Sequence, residues 1–76
     1  MRNDGISLHA RIAYLRDLYP KGTRVELISM NDPYTNLKPG DQGTVIYVDD
    51  MATVHVAWDN GSTLGVVYRV DFIRKL

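Results

Sequence analysis

The chain contains no cysteine. That excludes a disulfide framework and a cysteine-ligated zinc site. It has no run of 18 or more apolar residues, so no segment reads as a membrane-spanning helix. Its first residues lack an apolar h-region and a small-residue cleavage site, so no secretory signal is read there. These absences lead to the expectation of a cytoplasmic protein. Net charge is absent too, because nine Lys and Arg balance nine Asp and Glu. At 76 residues there is room for one domain. Its core can supply only roughly 3–5 kcal/mol, so stability is marginal.

The balanced total hides an uneven distribution. Residues 1–24 carry five cations (Arg2, Arg11, Arg16, Lys21, Arg24) against Asp4 and Asp17, a net +3. Residues 25–76 carry Lys38, Arg69, Arg74 and Lys75 against seven acids, a net −3. A protein that neutralises several phosphates needs a basic face. Only the N-terminal third has one to offer, and the acidic remainder favours a basic partner.

The clearest local signal is Thr53 to Val67, which reads as two short strands joined at Asn60-Gly61. Asn-Gly between alternating apolar residues marks a tight hairpin whose two turn residues take φ > 0. Val54, Val56 and Trp58 share one face at period 2, which favours a core place for the single tryptophan over a groove. Upstream, Leu8, Ile12, Leu15 and Tyr19 recur at helical spacing, with Arg11, Arg16 and Asp17 off the stripe. This predicts a helix over 7–18, capped by Asp4 or Ser7 and ended by Pro20 and Gly22. A helix this short is marginal alone and must dock its stripe, on its own domain or on a partner.

Residues 23–30 read as a first strand with Val25 and Leu27 inward and a bulge near Ser29. Residues 31–41 form a long loop of turn-forming residues, with Pro39-Gly40 suited to a type II turn. Residues 42–48 are a second strand whose last four residues are apolar without alternation, which suggests cover on both faces. A short turn at 49–52 leads into the hairpin. Residues 68–71 suit one 3₁₀ turn, and 72–76 a closing fifth strand. The predicted fold is mainly β: a helical arm over 1–20, then a five-stranded small barrel over 21–76.

Gly43-Thr44-Val45 followed by Val54 to Gly61 resembles the Gly-x-Val and Val-x-Val-x-Trp-Asp-x-Gly pattern of SH3-like barrels. More closely, Gly22 to Leu27, Met30-x-Asp32-Pro33, Gly43 to Val45, Trp58 to Ser62 and Arg74 to Leu76 resemble the bacterial domain-of-unknown-function family 4314. The resemblance covers about three-quarters of the chain. It implies an SH3-like barrel and an origin on phages and conjugative elements. It implies no activity, and it transfers no catalytic or binding residue.

Chemistry is sparse. No motif sets a nucleophile beside His9 or His55, and Ser62 reads as a turn residue, so no enzyme is expected. Asp32, Asp41, Asp49, Asp50 and Asp59 match no calcium-loop spacing and read as turn residues, so neither metal nor cofactor is expected. The expected function is a non-catalytic binding module for a protein. In an SH3-like barrel the long loop and the turn before the last strand adjoin. Tyr34, Lys38, Tyr68 and Arg69 are then the candidate contacts around an aromatic groove, with Trp58 a further candidate. Such a groove takes a proline-rich or extended peptide, whose pre-formed shape lowers the entropic cost of binding. The alternative is a nucleic-acid-binding accessory protein. It would use Arg2, Arg11, Arg16, Lys21 and Arg24 for phosphates, and exposed tyrosines, Tyr47 among them, for bases.

Overall fold

Ser7 starts the first element. Its Oγ accepts from the Ala10 N–H at 3.1 Å and satisfies one of the orphan donors of the first turn. The computed structural model describes residues 7–32 and 34–76, so the other proposed cap, Asp4, lies outside the described residues. Helix α1 runs Leu8–Leu18 and ends where the Tyr19 N–H bonds the Leu15 carbonyl. Five strands follow: β1 Arg24–Ser29, β2 Gln42–Val48, β3 Thr53–Trp58, β4 Gly65–Val67 and β5 Phe72–Lys75. They form one antiparallel sheet in the order β4-β3-β2-β1-β5. Replacing Ser7 by alanine should cost about 1 kcal/mol, the usual worth of an N-cap, read as a lower urea midpoint.

The helix stripe docks on the chain's own sheet, through its C-terminal half. Leu15 is fully buried, Ile12 and Tyr19 pack against the core, and Leu8 stays exposed. Strand β1 buries Val25 and Leu27, and its register against β5 shifts between Leu27 and Ser29, where the bulge is expected. Strand β2 departs from expectation. Val45 and Val48 are buried while Ile46 and Tyr47 face solvent. The cause is a second bulge, between Val45 and Tyr47, which resets the inward phase without covering the other face.

The hairpin also differs in detail. Of the Asn60-Gly61 pair only Gly61 has a positive φ, +95°. Gly61 N–H bonds the Trp58 carbonyl at 2.9 Å, and Trp58 N–H bonds the Ser62 carbonyl at 2.7 Å. The loop is therefore the three-residue kind, with a left-handed residue last. Asn60 contributes its side chain, which accepts from Ser62 N–H at 2.9 Å. Pro39-Gly40 turns as expected, with Asp41 N–H on the Lys38 carbonyl and Gly40 at φ +97°.

Trp58 is 3% exposed, so it belongs to the core and not to any groove. Gly43 opposite it makes the close strand approach possible. A Cβ there would sit 2.6 Å from Val56 Cγ1 and 2.9 Å from the Ala57 carbonyl oxygen.

The mainly β class with one N-terminal helix is as expected, but the sheet does not close into a barrel. Strands β4 and β5 are its two edges and share no backbone pairing. The reason lies in the residues between them. Asp71 N–H and Val70 N–H both bond the Val67 carbonyl, and Arg69 takes φ +69°. Residues 68–71 are thus a hydrogen-bonded turn with a left-handed residue, not a 3₁₀ turn. The Asp71 carboxylate then occupies the Val67 N–H that faces outward from β4.

Candidate functional site

A cleft of about 270 Å³ lies between the second half of α1, the turn after β4 and strand β5. Tyr14, Leu18 and Tyr19 line it from the helix; Tyr68, Arg69 and Asp71 from the turn; Phe72 and Ile73 from β5. The core residues Leu15, Val54 and Val66 form its floor. Tyr14 and Phe72 are 55% and 52% exposed, so two large rings stand at the mouth. Burial, with Tyr14 and Tyr68 nearby, pushes the Tyr19 hydroxyl above its ordinary value and keeps it neutral.

Cations gather at one end. The Arg11 guanidinium lies 5.1 Å from the Tyr68 ring centroid and that of Arg69 6.0 Å from it, both within cation–π range. Arg11 was expected off the helix stripe; it is half-buried instead, and its Nε is buried without a hydrogen-bond partner. Asp71, only 8% exposed, is tied down by backbone donors. Its Oδ1 accepts from Asn31 N–H at 2.8 Å and its Oδ2 from Val67 N–H at 3.0 Å.

Of the four contacts expected from sequence, the fold brings Tyr68 and Arg69 together in the cleft. Tyr34, 92% exposed, and Lys38 lie on the long loop, outside the cleft lining. Sequence reasoning passed over Tyr14, Phe72 and Asp71. Tyr14 and Leu18 do stand four apart beside the Leu15 position, a second stripe that widens the helix's apolar face. No periodicity marks Asp71, whose partners are backbone amides from two other segments.

The expected basic set is dispersed. Arg2 lies outside the described residues. Arg16 donates through Nε and Nη2 to the Val48 carbonyl and reaches Asp50 at 3.3 Å. Arg24 grips Asp59 with two bonds, at 2.8 and 2.7 Å, which holds the Asp59 carboxyl below its ordinary value. Lys21 is exposed.

A second polar cluster closes the β2–β3 turn. Asp49 Oδ2 accepts from His55 Nε2 at 2.7 Å, and Oδ1 from Met51 and Thr53 N–H at 2.9 and 3.0 Å. The Tyr47 and His55 rings stack with centroids 4.4 Å apart. The His55 bond, then the backbone donors, hold the Asp49 carboxyl below its ordinary value. The stability this supplies is complete above about pH 4, the ordinary aspartate value, and is lost as pH falls through the lower folded value. Urea midpoints at pH 6 and pH 2.5 should therefore differ less in Asp49→Asn than in the parent.

Among the described residues, no group of three or more His, Asp or Glu is placed to hold a metal ion, and no helix is long and apolar enough to cross a membrane. Comparison with curated proteins and with solved structures returned no match. The sequence model of the family described as a domain of unknown function, DUF4314, matches residues 8–76, which include α1, all five strands and every residue of the cleft, and the chain belongs to that family.

Proposed function

We propose that this protein is a small, non-catalytic binding module, working in the cytoplasm, whose cleft between α1 and the β4–β5 turn takes a peptide segment of a protein partner. One observation carries the reading: the rings of Tyr14, Tyr19, Tyr68 and Phe72 converge on a single cleft, two of them more than half exposed. Aromatic residues flanked by arginine are the side chains that dominate binding energy at protein interfaces. Tyr68 and Arg69 are the central contacts, while Tyr34 and Lys38 stay outside the cleft on the long loop. The mobile-element origin implied by the family resemblance belongs to the same proposal.

The nucleic-acid alternative has less support. Two of its cations, Arg16 and Arg24, already pair with Asp50 and Asp59. Retention on heparin should accordingly change little between low and moderate salt; a steep log-linear loss would favour nucleic acid.

Display of random peptides against the whole chain, followed by amide shift mapping, tests the protein reading. Selected peptides should move the signals of Tyr14, Tyr68 and Phe72. Tyr14→Ala should weaken them about tenfold, as for an exposed aromatic contact. Shifts confined to the β2–β3 turn, or an unchanged affinity in Tyr14→Ala, would overturn it.

A further inference from the structure

The two edges of the sheet are not equivalent. On β4 the outward groups of Val67 are both used. Its N–H donates to Asp71 Oδ2, and its carbonyl accepts from Val70 and Asp71 N–H at 3.1 and 2.9 Å. The Val67 end of that edge is closed by its own turn. On β5 the register against β1 pairs Glu26 with Arg74 and Leu27 with Ile73, and Leu76 N–H bonds the Arg24 carbonyl at 3.0 Å. Antiparallel bonding alternates along a strand, so Arg74 and Leu76 bond toward β1 while Ile73 and Lys75 turn their N–H and C=O groups away. Leu27 agrees with this phase, since its N–H and carbonyl bond Asp41 and Gly40 on the opposite side of β1. Ile73 also lines the cleft, so the open edge and the aromatic rings belong to one surface.

Three cations stand around that surface. Arg11 and Arg69 flank the Tyr68 ring, and Lys75 is exposed on β5. Among the described residues no carboxylate forms an ion pair with Arg11. Arg74 is matched by Glu26 at 2.9 Å, and both oxygens of Asp71 are held by backbone N–H groups. The acidic charge of residues 25–76 favours a basic partner, but the fold sets Arg11, from the basic N-terminal third, over the same Tyr68 ring as Arg69.

We infer that the occupant is an extended, acidic peptide segment that adds to the free edge of β5 as a sixth strand, lays an apolar or aromatic side chain on Tyr14 and Phe72, and presents a carboxylate to Arg11. This rests on the cleft being the binding surface. Backbone pairing at Ile73 and Lys75 supplies affinity and direction; the rings and the guanidinium supply selectivity. The charged residues on β5 protect a short edge from indiscriminate pairing and leave it open to a strand of opposite sign.

The probe is a blocked hexapeptide in which glutamate alternates with valine and tyrosine. Its companions are the same peptide with lysine for glutamate, and the glutamate peptide N-methylated on the amides that would face β5. The glutamate peptide should shift the Ile73 and Lys75 amides together with Tyr14 and Phe72. N-methylation should weaken it about tenfold, and the lysine peptide should bind about tenfold less well. Lys75→Pro removes only an outward N–H, which an edge strand tolerates, and should match the N-methyl loss where Lys75→Ala does not. Arg11→Gln should cost roughly fivefold for the glutamate peptide alone.

Equal affinity after N-methylation and in Lys75→Pro would overturn strand addition while leaving the cleft as the binding surface. Preference for the lysine peptide would overturn the acidic partner. Self-association that Lys75→Pro abolishes would give the edge to a second copy and overturn the proposal. If the hexapeptides leave the cleft signals unmoved while display-selected peptides move them, this inference fails alone; if neither moves them, both fall.

Discussion

Trp58→Ala is expected to leave the chain unfolded at room temperature. The indole is 3% exposed and belongs to the same core cluster as the valines of β2, β3 and β4. Its Nε1–H also donates to the Leu64 carbonyl at 2.8 Å. That bond sits in the stretch between Ser62 and Gly65 where β3 and β4 have no regular pairing, so the side chain replaces backbone bonds the ladder omits. Removing a buried tryptophan costs about 3–5 kcal/mol. A domain this small has roughly that much from its core in total. Loss of amide dispersion in a proton–nitrogen spectrum would show it. Trp58→Phe keeps most of the volume but orphans the Leu64 carbonyl, and a loss of about 1–2 kcal/mol is expected. A folded Trp58→Ala with the parent's urea midpoint would mean that the hairpin is not anchored through this ring.

Asp71→Ala should cost about 2–4 kcal/mol, because it strips the acceptors from two backbone donors on different segments. Asn31 N–H and Val67 N–H would both lose a charged partner. Their amide hydrogen exchange should accelerate more than that of β2 and β3, because the 68–71 turn loosens before the central strands do. Asp71→Asn is not conservative here: its amide nitrogen would face one of those two donors. The variant would also lose the cleft, because the same turn carries Tyr68 and Arg69. Unchanged exchange at Asn31 and Val67 in Asp71→Ala would show that the carboxylate does not join the loop to the turn.

Much of the fold was legible because it is written in local, periodic signals. The helix, its Ser7 cap, the strands and the Ser29 bulge follow from spacing and turn residues, and each is found within a residue or two of its expected bounds except β4, which starts only at Gly65 and not directly after Gly61. The misreadings have a common origin in what local pattern cannot encode. The apolar run Val45 to Val48 looks two-sided until the bulge is known. Asn60 looks like a left-handed turn residue until its side chain is seen bonded to Ser62. The barrel stays open because a single carboxylate, Asp71, captures the N–H that an added strand would need on β4.

The candidate site was half legible. Tyr68 and Arg69 were placed by their turn, but the groove expected to join them to Tyr34 runs instead to Tyr14 on the helix and Phe72 on β5. From sequence alone came the class of fold, the hairpin and an amphipathic helix that had to dock somewhere, because apolar periodicity and turn chemistry act over a few residues. Tertiary structure alone decided that the sheet has two unequal edges, that Arg11 crosses to the Tyr68 ring, and that aromatic residues far apart in the chain share one cleft. Those outcomes depend on contacts between distant segments, whose geometry is set only when the whole core packs.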